Sequence, residues 1–106
     1  MPKYLFEASY TAEGAKGIIK EGAAARRAAI EKAAASVGGK LECFYFAFGD
    51  VDAYVIADLP DNAAAAAMAL TVGASGKAAT KTIVLLSADE AEAATKRSVA
   101  YRPPGD

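Results

Sequence analysis

The sequence predicts an α+β domain built on one four-stranded antiparallel sheet, and three observations lead there. Four short segments alternate in hydropathy with the two-residue period of a strand. Alanine-rich stretches of helical composition separate the first from the second and the third from the fourth. Glycine, proline and capping residues stand where the chain must change conformation. The implied order is β-α-β-β-α-β, closed by one more short helix.

The first strand is KYLFEASY, in which Tyr4, Phe6, Ala8 and Tyr10 alternate with Leu5, Glu7 and Ser9. Thr11 is placed to cap the next segment, AEGAKGIIKEGAAARRAAIEKAAASV, which carries an early acid and strong helix formers and stops at Gly38-Gly39. Gly14, Gly17 and Gly22 weaken its first half, each by about 0.5–1 kcal/mol relative to alanine, so a kink or break is expected near Gly22. KLECFYFAF is the second strand, apolar on both faces, with Leu41, Cys43, Tyr45 and Ala47 expected on one side and Phe44, Phe46 and Phe48 on the other. DAYVIADL is the third, setting Ala53, Val55 and Ala57 opposite Tyr54, Ile56 and Asp58. Between them GDVD reads as a hairpin loop, because Gly49 accepts positive φ and aspartate tolerates turn geometry. Asp61 is the expected N-cap of DNAAAAAMALTV, whose alanines let the backbone lie close to what it covers. GASG ends that helix and AATKTIVLLS supplies the fourth strand. Ser87 and Glu90 form a capping box for ADEAEAATKRS, and Pro103 and Pro104 keep the tail VAYRPPGD from extending it.

A chain of 106 residues fits one core, so a single domain is expected over residues 1–98 with a tail over residues 99–106. Twelve Lys and Arg against thirteen Asp and Glu leave a formal charge of −1 and no broad basic field, so nucleic acid is not an expected partner. MPKYLFEASY lacks a signal-peptide pattern and no run of about 18 apolar residues occurs, which predicts a soluble cytoplasmic protein without a membrane partner. The lone Cys43 is expected to be a buried, inert hydrophobe. Histidine is absent, which removes the usual acid/base group and the histidine-containing zinc and haem sites. The carboxylates show no dense ligand spacing, so no metal is expected, and no cofactor either. GASGKAATK lacks the frame of a phosphate loop and precedes a strand rather than a helix.

This element order is the ferredoxin-like, split βαβ pattern. Right-handed crossovers put both connecting helices on one face of the sheet and leave the other face bare. The second strand is apolar on both faces, and the fourth offers Ile83 and Leu85 on one side with Val84 and Leu86 on the other. A bare face of that kind exceeds the apolar patch a soluble monomer tolerates, so a second copy pressing sheet against sheet is the expected partner.

With these segments in view the chain resembles the GYD domain family. The resemblance spans roughly residues 3–90 and is carried by Gly38-Gly39, Phe44-Tyr45, Phe48-Gly49, Asp52 and Pro60-Asp61. The family signature is glycine, a variable residue, tyrosine and aspartate; those positions read Gly49, Asp50, Val51 and Asp52, with valine in place of the tyrosine. The resemblance implies a branch of the dimeric α+β barrel proteins, whose members pair through their sheets and include small oxygenases, isomerases and haem-handling enzymes. It implies a fold more firmly than an activity.

Several side chains have both a functional and a structural reading. Asp50 and Asp52 are a carboxylate dyad if they converge on one substrate atom, and hairpin residues if they do not; turn chemistry accounts for both, and Asp52 retains a separate reading as a ligand or interface group. Arg26 falls on the apolar stripe Ile19, Ala23, Arg26, Ile30, Ala33, Val37, so its guanidinium is expected to lean toward the sheet. It is then either a bidentate clamp for a carboxylate or phosphate, or a snorkelling side chain whose methylenes cover the core edge while its head reaches water or a carboxylate such as Glu7 or Glu42. Arg27, four residues before Glu31, is a surface ion pair. Glu7 is a general base if it is buried alone and a bystander if it is paired or solvated. Tyr4, Tyr10, Tyr45 and Tyr54 are core residues or the lining of a pocket. Tyr101 and Arg102 either fold over a partner subunit or are disordered.

The leading functional reading is a homo-oligomeric small-ligand-binding or assembly module whose pocket between helices and sheet is touched by Tyr10, Arg26, Tyr45 and Asp52. The alternative is a cofactor-independent oxygenase or isomerase acting on a small anionic or aromatic substrate, with Glu7 or Tyr45 moving protons and Arg26 holding the anion. A third is a structural oligomer with no pocket.

Overall fold

A computed structural model describes the whole chain, Met1–Asp106. Strand β1 spans Lys3–Tyr10, β2 Lys40–Phe46, β3 Ala53–Asp58 and β4 Ala78–Leu85. The helices are α1 Ala12–Glu21, α2 Ala23–Ser36, α3 Asn62–Ala74 and α4 Ala88–Thr95. All strand pairs are antiparallel and the sheet order is β2-β3-β1-β4, the ferredoxin-like arrangement with helices on one face.

The local signals act where the sequence puts them. The Thr11 hydroxyl accepts from the Gly14 N–H, the Asp61 carboxylate from the Ala64 N–H, and Ser87 and Glu90 complete a reciprocal capping box. The long helical stretch breaks at Gly22, whose φ of 94° side chains rarely adopt, dividing it into α1 and α2. That break ends the apolar stripe, and Ile19 on its far side is 84% exposed. Helix α3 runs past Gly73 to Ala74, slightly beyond the expected stop.

The core lies between α2, α3 and the sheet. Tyr4 and Phe6 from β1, Val55 and Ala57 from β3 and Leu41 from β2 meet Ile30, Ala34, Ala65 and Met68 from the helices. Alanine at Ala34, Ala57 and Ala65 brings backbones close together, and the Tyr4 hydroxyl reaches Asn62 Oδ1 at 2.6 Å.

One irregularity changes the expected faces of β2. Leu41 pairs with Ala57 and Cys43 with Ile56, so Glu42 and Cys43 together oppose one residue of β3 in a β-bulge. The extra residue inverts the alternation. Leu41 and Phe44 both face the helices, while Cys43 and Tyr45 face the other way. Cys43 is therefore half-buried on the bare side rather than a core residue.

The bare face carries a central apolar row, Cys43, Ile56, Leu5 and Ile83, in register across all four strands. Next to it run Tyr45, Tyr54, Glu7 and Lys81. On the other side Lys3 reaches both Glu42 and, at 2.8 Å, Asp58, and these two carboxylates hold its ammonium charged well above the usual lysine range. Helix α4 has no buried residue and the chain after it is exposed throughout. Its outboard position accounts for a radius of gyration of 16.8 Å and a long axis of 56 Å, against about 13 Å of gyration for a compact chain of this length. No helix is long and apolar enough to cross a membrane.

Candidate functional site

Arg26 anchors the site. Because α2 starts afresh after Gly22, Arg26, Ile30 and Ala34 recur at four-residue spacing on one face, and that face packs on the sheet. Ile30 and Ala34 enter the core, while Arg26 is half-buried one turn earlier. Its Nε is buried without a hydrogen-bond partner, and a buried N–H left unmatched costs about 1–3 kcal/mol. Neither carboxylate expected to receive it does so: Glu42 is held by Lys3 and Glu7 lies on the far side of the sheet. The ion pairs of the chain are Lys3 with Glu42 and Asp58, and Arg27 with Glu31; Arg26 joins none of them.

Two compartments meet at this side chain. The inner one, about 30 Å³, lies between helices and sheet and is partly open, lined by Phe6, Ile30, Phe44, Val55, Met68 and Val72 among others. The outer one, about 190 Å³, is polar and bounded by Gly14, Gly17, Glu21, Gly22, Ser75 and Lys77, along α1 and the turn between α3 and β4. Tyr10, Arg26 and Ala78 line both and so form the neck between them.

Tyr10 ends β1 on the helix side of the sheet. Burial pushes its phenol above the ordinary tyrosine range; the Arg26 guanidinium beside it pulls the other way, and the nearby Asp52 carboxylate adds to the rise. At neutral pH the hydroxyl is a donor.

Asp52 answers the question its sequence raises. Its Oδ2 accepts from the Tyr10 backbone N–H at 2.9 Å, and its own N–H donates to Ala8 O at 2.8 Å. Ser9 Oγ donates to Asp50 O at 2.7 Å, and Ala47 N closes the loop on Asp52 O at 2.8 Å. The Asp52 carboxylate and the Asp50 backbone carbonyl thus tie the β2–β3 hairpin to the end of β1, with Gly49 at φ 122° making the bend. Asp52 supports the neck through Tyr10 without lining either compartment.

Tyr45 does not join the other three candidates. The bulge turns it onto the bare face, where it pairs with Tyr54 and is 69% exposed. Tyr4 is a core residue, Tyr54 and Glu7 sit beside Tyr45 on the bare face, and Tyr101 and Arg102 are exposed in the tail. Phe44 takes the place expected of Tyr45, a swap visible only once the bulge is known. Met68 and Val72 line the inner compartment, and their four-residue spacing in an alanine helix was a signal that could have found them. Lys77 and Gly17 come together only through the packing of α1 against the turn before β4.

A ferredoxin-like sheet with helices on one face, with cavities beside Arg26 between them, defines an α+β domain. The chain belongs to the GYD domain family, matching the GYD domain over residues 4–95. Searches among curated proteins and among solved structures gave no match. The matched span takes in both compartments, and the signature turn has a local role in this chain: Gly49 supplies the positive φ and Asp52 the carboxylate of the hairpin clamp.

Proposed function

We propose that this GYD domain is a homo-oligomeric small-ligand-binding module, paired through its bare sheet face and holding its ligand at the Arg26 neck. The observation that carries the ligand half is Arg26 itself, which lines both an apolar cavity and a more polar vestibule and joins no carboxylate of the chain. A half-buried cation without a carboxylate partner is a ready receptor for an acceptor group from outside.

Pairing is supported by the apolar row of Cys43, Ile56, Leu5 and Ile83, flanked by the exposed Tyr45 and Tyr54. Four strands about 4.8 Å apart and about seven residues long, at about 3.3 Å each, present roughly 450 Å² of flat area per copy. Two such faces bury on the order of 900 Å², short of the roughly 1,200–2,000 Å² of a stable interface. Groups beyond the sheet must contribute, and Phe48, Leu86, Val99 and Tyr101 are exposed and apolar.

The enzyme reading asks Glu7 or Tyr45 to move protons on a substrate held by Arg26. Strand alternation separates them: Glu7 and Tyr45 lie on the bare face and Arg26 on the helix side. Tyr10 is the proposed site residue that shares both compartments with Arg26, which favours binding over proton transfer.

A native mass spectrum of protein released gently from its producing cells tests both halves. The expected result is an even number of subunits with a retained small mass. Single chains at micromolar concentration, still soluble, refute the pairing; ligand-free subunits together with no binding of any small molecule tried refute the ligand site.

A further inference from the structure

The two compartments differ in a way that specifies a ligand, on the assumption that the domain binds one at the neck. The inner cavity of about 30 Å³ accepts a stub of only a few heavy atoms, since one water already claims about 30 Å³ of liquid and one probe position about 10–15 Å³. Its walls are aliphatic and aromatic side chains apart from Thr80 and the neck residues. The vestibule, about 190 Å³, is smaller than the roughly 300–1,000 Å³ of sites for drug-sized molecules. Its charged lining residues are Arg26, Lys77 and Glu21. The guanidinium fork matches a carboxylate, with its two terminal nitrogens each donating to one oxygen.

We propose that the Arg26 neck binds a small monocarboxylate with a short apolar tail, its carboxylate in the vestibule against Arg26 and Lys77 and its tail in the cavity between Ile30, Phe44 and Met68. Tyr10 adds a hydroxyl donor at the neck. A cavity of about 30 Å³ favours a tail of only about two or three carbons. Gly17 leaves the vestibule open: a Cβ there meets nothing within 4 Å, so a larger side chain fills the space without displacing the fold.

The test is titration calorimetry, with amide NMR shifts at Tyr10, Gly17 and Lys77, using butyrate, its neutral isostere butyramide, octanoate and inorganic phosphate. Butyrate is expected to bind at least about tenfold more tightly than butyramide and to lose about tenfold or more in Arg26→Met, the span of a charge-assisted hydrogen bond. Octanoate is expected to gain nothing over butyrate, and Gly17→Met to weaken butyrate with an unchanged circular dichroism spectrum. Arg26→Lys keeps the charge and is expected to recover part of the loss. If butyramide equals butyrate and Arg26→Met is silent, the carboxylate assignment falls while the small-ligand reading stands. If phosphate binds as well as butyrate, the apolar compartment has no part and the assignment falls. If none of the four binds at tens of millimolar, the assignment falls, and a small mass retained in the native spectrum decides whether the broader reading falls with it.

Discussion

Two glycines three residues apart on α1 should respond to alanine with opposite signs. At Gly14 an added Cβ would collide with the Lys77 carbonyl oxygen and stand 3.0 Å from its carbon. That oxygen is not free to retreat: it accepts from Thr11 N at 2.9 Å and from Thr11 Oγ at 3.2 Å. Thr11 is also the N-cap that accepts from Gly14 N. One methyl group therefore pushes α1 away from the turn between α3 and β4 and loosens the cap with it. Overpacking costs about 1–3 kcal/mol and each weakened hydrogen bond about 1 kcal/mol, while alanine returns at most about 1 kcal/mol of helix propensity. Gly14→Ala is expected to destabilise by about 2–3 kcal/mol. At about 4.5 °C per kcal/mol for a chain of this length, Tm falls by about 9–14 °C. Gly17→Ala meets open space and gains about 0.5–1 kcal/mol, raising Tm by about 2–4 °C. Thermal and urea unfolding followed by circular dichroism, at one fixed protomer concentration so that association does not move Tm, reads both. A Gly14→Ala protein as stable as the parent would refute the contact between α1 and the Lys77 turn, and with it the wall of the vestibule.

Removing the Tyr4 hydroxyl with Tyr4→Phe breaks its bond to Asn62 at a residue only 1% exposed, and is expected to cost about 0.5–1.5 kcal/mol in urea unfolding without changing the fold. Ser87→Ala removes half of the α4 capping box, worth about 1 kcal/mol locally; because α4 buries nothing, amide exchange should rise in Ala88–Thr95 while global unfolding is unchanged. The raised Tyr10 phenol makes stability fall in alkali: above pH of about 10 the unfolded chain releases this proton before the folded one does, so its contribution is intact below that pH and is lost as pH climbs through the folded value. Urea unfolding between about pH 9 and 11 should therefore show a steeper decline for the parent than for Tyr10→Phe, with the Lys3 contribution common to both. Equal slopes would show that burial does not hold the phenol in its neutral form.

The sequence by itself determined everything that depends on near neighbours along the chain. Thr11, Asp61 and Ser87 cap because a hydroxyl or carboxylate two or three residues before a free N–H reaches it whatever surrounds it. Gly22 breaks the first helical stretch in two and Gly49 turns the hairpin because φ preferences are local, and strand alternation with helical composition yields the order of strands and helical stretches behind the ferredoxin-like sheet. Arg26 was legible as a sheet-facing cation because it lies one turn ahead of Ile30. Only the tertiary structure decided which face each residue of β2 takes, since the bulge at Glu42–Cys43 is set by pairing with β3, and one extra residue exchanges Tyr45 for Phe44 in the site. It also decided that Asp52 clamps Tyr10, that Ile19 is exposed, and that Lys77 and Gly17 share a vestibule with Arg26. These are meetings between residues distant in sequence, or the lack of one, and the energies that settle them come from packing, which no short stretch of chain contains.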